Sequence, residues 1–99
     1  MRIHVTTEAI LKPTGPLTPL EIYELTKQYA GLSTHIEIDP SATVQQLADA
    51  ADTALGTDTS KTEEELVYYN DVLLNNASTL ESNGLINGNT VQYKFVLIV

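Results

Sequence analysis

Cysteine is absent from this 99-residue chain, so no disulfide staples it and no thiolate can hold a metal. That absence fits a reducing compartment, and the chain is expected to be cytoplasmic. Long apolar runs are missing too. None approaches the length of a membrane span, and the first residues carry no signal-like hydrophobic segment. Basic residues are scarce: five Lys and Arg stand against thirteen Asp and Glu, for a formal charge of −8. Nucleic acids and anionic membranes need a basic footprint, so neither is expected as a partner. The acid surplus reads first as a solvated surface and second as suited to a basic protein partner. A chain of this length makes one domain, residues 1–99, near the lower end for a core that holds without staples.

What is present centres on Thr34 to Leu55, THIEIDPSATVQQLADAADTAL. Ile36 and Ile38 alternate with His35 and Glu37, the period-two pattern of a half-buried strand. Asp39-Pro40-Ser41 ends it, because Pro40 has no N–H and a fixed φ. Thr43 and Gln46 then form a capping box. Val44, Leu47, Ala48, Ala51 and Leu55 follow at helical spacing as one apolar stripe. Its small alanines let the helix lie close to a sheet. Gly56 is placed to close the helix in the left-handed conformation.

The rest of the chain supplies strands for that helix. Met1 to Thr7 alternates, with Ile3 and Val5 on one face and Arg2, His4 and Thr6 on the other. Residues 8–33 read as an insertion, with Lys12 to Pro16 as loop. Within it, Thr18, Pro19 and Glu21 start a second helix by a capping box with proline at the first position. Leu17 and Ile22 fit a hydrophobic staple. Ile22, Leu25 and Tyr29 lie along one side, with Leu20 and Tyr23 widening it, and Gly31 stops the helix. Thr57 to Glu65 is polar and is expected to be loop with at most one weak helical turn. Its acids Glu63, Glu64 and Glu65 are read as solvated.

Leu66 to Tyr69 is a strand, joined by an Asn70-Asp71 turn to a short strand over Val72 to Leu74. Thr79 to Gly84 is a brief helical turn, and Asn87-Gly88 another turn. Thr90 to Val99 is the last strand, with Val91, Tyr93 and Phe95 on one face and Gln92 and Lys94 on the other. The expected core is Ile3, Val5, Ile36, Ile38, Val44, Leu47, Ala51, Leu55, Val67, Tyr69, Leu74, Leu80, Leu85, Val91 and Tyr93.

Three segments, in order, resemble ubiquitin and its relatives: MRIHVTT, HIEIDPSATVQQL, and VYYNDVLLNNASTLESNGLINGNTVQY. The resemblance covers most of the chain apart from residues 8–33 and the loop after the main helix. It implies an α+β, ubiquitin-like β-grasp fold: a mixed β-sheet packed on one main α-helix in ββαββ order. The extra helix would then be inserted between strands 1 and 2. The resemblance has departures. Conjugated relatives and sulfur carriers of this fold end in Gly-Gly, whereas this sequence ends Leu97-Ile98-Val99. Where ubiquitin carries its apolar docking patch, this chain has Tyr68, Gln92 and Lys94.

No residue cluster looks catalytic. There is no phosphate loop, no nucleophile elbow and no paired acids in an apolar setting. His4 and His35 fall on the solvent face of neighbouring strands, with Glu37 nearby. A cross-strand histidine pair has the chemistry for a metal, but two surface histidines is the reading adopted. No cofactor and no metal is expected. The function expected is a non-catalytic ubiquitin-like protein-interaction module, an adaptor docking non-covalently on a larger partner or assembly. The small ubiquitin-like components of bacterial type VII secretion systems, which lack Gly-Gly, are one such model. The alternative is a conjugated ubiquitin-like modifier or sulfur-carrier protein whose Gly-Gly tail is absent from this chain. Partner-binding residues are expected at Glu21, Glu24 and Gln28 on the inserted helix and at Tyr68, Gln92 and Lys94 on the sheet.

Overall fold

A computed structural model describes residues 1–12 and 15–98, Lys61 by its backbone. Among these residues the chain forms an α+β fold of one mixed five-stranded sheet and two α-helices. In chain order they are β1 (Arg2–Lys12), α1 (Pro19–Tyr29), β2 (Ser33–Glu37), α2 (Val44–Leu55), β3 (Thr62–Tyr69), β4 (Val72–Leu73) and β5 (Thr90–Ile98). Short 3₁₀ turns precede β3 (Thr59–Lys61) and β5 (Glu81–Asn83). The strand order is β2-β1-β5-β3-β4. β1 and β5 run parallel at the centre, and the other neighbours are antiparallel.

The local signals act as their chemistry requires. Both capping boxes form: Thr18 with Glu21, and Thr43 with Gln46, each satisfying two backbone N–H groups. Gly56 ends α2 at φ 65°, a conformation in which a Cβ would be strained. Asn70 and Asp71 both take positive φ, 50° and 63°. That pairing makes the tight turn whose twist matches the flanking strands.

The core lies between the sheet and α2. Ile3, Val5, Ile36, Val67, Leu74, Val91 and Tyr93 are buried from the sheet side, and Val44, Leu47 and Ala51 from α2. Leu80 and Leu85 close one end. Ile38 and Tyr69 are half-buried against this cluster. Leu55 is also half-buried rather than enclosed, because it is the last residue of α2. The core extends beyond the expected set to Tyr29, Ala48, Phe95 and Leu97. Tyr29 of α1 tilts its ring against Phe95, 5.4 Å between centroids, and donates its hydroxyl to the Asp58 carbonyl at 2.8 Å. Both helices therefore sit on the same side of the sheet.

Two expected loops are strand instead. β1 continues through Glu8 to Lys12, because Lys94 to Ile98 of β5 pair with it in parallel register. The insertion proper thus begins after Lys12. Pro13 and Thr14, part of the predicted loop, lie outside the described residues, as does Val99. β3 begins at Thr62, so the acid run is strand rather than loop. A register shift between Thr62 and Glu64 lets three successive glutamates follow one another at that edge. β4 stops at Leu73, one residue short of the expected end.

Candidate functional site

The face of the sheet opposite the two helices is where the predicted docking residues meet. Strand alternation puts Ile3, Val5, Tyr93 and Phe95 toward the helices and Thr6, Glu8, Gln92 and Lys94 the other way. Tyr68 stands across from Gln92, and Leu66 across from Lys94. Val5 and Thr6 of β1 run beside Val91 and Gln92 on the other flank of β5. The result is a hollow of about 270 Å³ lined by Thr6, Tyr68, Asn70, Asp71, Thr90 and Gln92.

Lys94 stands over the ring of Tyr68, one of the lining residues. Its ammonium lies 4.5 Å from the Tyr68 ring centroid and 3.5 Å from the Glu8 carboxylate. The cation occupies one face of the aromatic ring. It leaves a surface of one aromatic, two hydroxyls, two amides and an acid. Such a set hydrogen-bonds a peptide or side chains and stacks on an apolar group. Tyr68, Gln92 and Lys94 are thus brought together.

Glu21, Glu24 and Gln28 lie elsewhere. With Leu25 they line a second hollow of about 230 Å³ on α1. Glu21 is also engaged at home, accepting from the Thr18 N–H at 3.2 Å in the capping box. The apolar side of α1 differs from expectation. Tyr29 is buried, but Ile22, Leu20 and Tyr23 are exposed, at 41%, 64% and 62%. The helix is anchored by its last turn, and its first two turns face outward.

Sequence reasoning missed Thr6, Asn70, Asp71 and Thr90 as site residues. The Asn70-Asp71 turn was legible; its approach to Thr6 was not, because that requires the parallel β1–β5 pairing. A second group was also missed. Asp49 and Asp52 of α2 and Glu65 of β3 bring carboxylate oxygens within 4.8 Å of one another. Asp52 accepts from the hydroxyls of Tyr93, at 3.0 and 2.9 Å, and Thr57, at 2.8 Å. Burial pushes the Glu65 carboxyl above its usual range; the Tyr93 hydroxyl pulls it back and the Asp52 carboxylate adds to the rise. Burial likewise pushes the Tyr93 hydroxyl far above its ordinary value, so it stays a donor. Three carboxylates suit a hard cation in principle. Here hydroxyl groups already satisfy Asp52, and the group serves to tie α2 to the sheet.

Among the described residues, no helix is long and apolar enough to cross a membrane. No protein-family model matches the chain, and no curated protein matches it.

Proposed function

We propose that the chain is a ubiquitin-like β-grasp module with no catalytic role, which docks non-covalently on a protein partner or larger assembly through its uncovered sheet face. The strand order, with parallel β1 and β5 at the centre and α2 across one side, supports the β-grasp reading. The observation that carries the function is that Tyr68 of β3 and Gln92 of β5 line one hollow on the face that no helix covers, with Lys94 held over the Tyr68 ring beside it. Protein surfaces used for docking favour an aromatic anchor beside adaptable polar groups. Tyr68 supplies the anchor and Gln92, Thr6 and Asn70 the polar groups. The acidic total charge supports a basic partner and fast encounter.

The test is affinity capture from the native source with wild-type chain and Tyr68→Ala side by side, both shown to be folded. A protein retained by wild type and lost by Tyr68→Ala supports docking through this face. Equal retention by both would remove the face from consideration.

A further inference from the structure

His4 and His35 are the two histidines of the chain, and they stand directly opposite each other on antiparallel β1 and β2. Backbone parity sets how close they come. The Thr7 N–H bonds the Leu32 carbonyl, and the Gly31 N–H bonds the Thr7 carbonyl. Odd positions of β1 therefore turn their backbone groups toward β2. His4 turns the other way and donates its N–H to the Asn89 carbonyl at 2.9 Å. The His4–His35 pair is thus of the non-hydrogen-bonded kind, where opposed side chains approach most nearly. Their ring centroids are 4.6 Å apart and their planes 24° from parallel. Both rings lie on the uncovered sheet face, His35 exposed and His4 half-buried.

We propose that His4 and His35 form a two-imidazole site for a borderline divalent transition cation of the Zn2+ or Cu2+ kind, with water completing the shell. Neutral imidazole is a preferred ligand for these ions. Both rings rise from neighbouring strands of one sheet, so the backbone already holds the two donors in place. Only side-chain rotation is needed to turn the stacked rings so that one nitrogen of each meets the same ion. The Thr90 hydroxyl lies 3.4 Å from His4 Nδ1, which engages that nitrogen and leaves Nε2 as the ligand. The charged groups on this part of the face are Arg2 and Glu37, opposed across the strands at 4.0 Å. Glu37 offsets the repulsion Arg2 would exert on an arriving cation. Because the chain lacks cysteine, imidazole-dependent binding reports on this pair alone.

The test is a titration of the full chain with Zn2+ alone, followed through the imidazole 15N–1H correlations. Both rings are expected to shift together and saturate at one ion per chain. The shifts should vanish when the pH is lowered below the imidazole range. His4→Gln and His35→Gln should each weaken binding about tenfold or more, since each removes half of the protein ligands. The proposal fails if the imidazole signals stay still while Zn2+ binds elsewhere, Asp49, Asp52 and Glu65 being the obvious place. It fails equally if one ring moves alone, or if either variant binds as wild type does. Should a variant unfold, the wild-type imidazole titration decides the matter unaided.

Discussion

The buried Tyr93 hydroxyl on β5 reaches both carboxylate oxygens of Asp52 on α2, at 3.0 and 2.9 Å. One proton is shared between two acceptors. This contact joins the second half of the main helix to the centre of the sheet, and the Thr57 hydroxyl completes it from beyond the helix end. Tyr93→Phe should keep the packing and remove the donor. A hydrogen bond to a charged group is worth about 1.5–3 kcal/mol, so that is the expected loss in urea denaturation. A loss under roughly 0.5 kcal/mol would mean that water replaces the hydroxyl at Asp52.

The same junction should make stability rise on mild acidification. Burial and the Asp52 carboxylate hold the Glu65 carboxyl above its usual 4.5. The folded chain therefore grips that proton more tightly than the unfolded one. This contribution is fully present below 4.5 and is lost as pH rises through the folded value. His35 acts in the opposite sense. Held below 6.5, it favours folding above that pH and gives this up as pH falls. Urea midpoints of wild type, Glu65→Gln and His35→Gln across this window separate the two. Glu65→Gln should flatten the acid-side rise. A curve parallel to wild type would show that the carboxyl does not titrate with folding.

Leu47 is 1% exposed on the buried stripe of α2. Leu47→Ala should cost about 2–5 kcal/mol, the range for a truncated core leucine. A measured loss below roughly 1 kcal/mol would show that the cavity collapses or the packing differs.

α1 divides into an anchor and a display surface. Tyr29→Ala removes a buried aromatic with its hydrogen bond and should cost about 3–5 kcal/mol. Glu24→Ala and Gln28→Ala sit on exposed positions and should move stability by no more than about 0.5 kcal/mol. If those two substitutions weaken partner capture at unchanged melting temperature, α1 adds to the docking surface. Full affinity in both would leave α1 a packing element only.

Sequence by itself determined the elements whose causes are local. Thr18 with Glu21 and Thr43 with Gln46 start the helices, since a cap needs only residues three apart. Gly56 and the Asn70-Asp71 turn follow from which residues tolerate positive φ. Alternation in β1 and β5 assigned Gln92 and Lys94 to the face opposite Tyr93. The tertiary structure decided where polar segments become strand. Glu64 and Glu65 have poor intrinsic preference for a sheet, yet they pair because β5 lies beside them. Residues 8–12 extend β1 for the same reason. It also decided which residues meet. The hollow needs Thr6 and Tyr68 on opposite flanks of β5, and the Asp52–Tyr93 contact spans 41 residues. Contacts at that separation are set by strand order and register, which depend on how the whole apolar surface is buried at once.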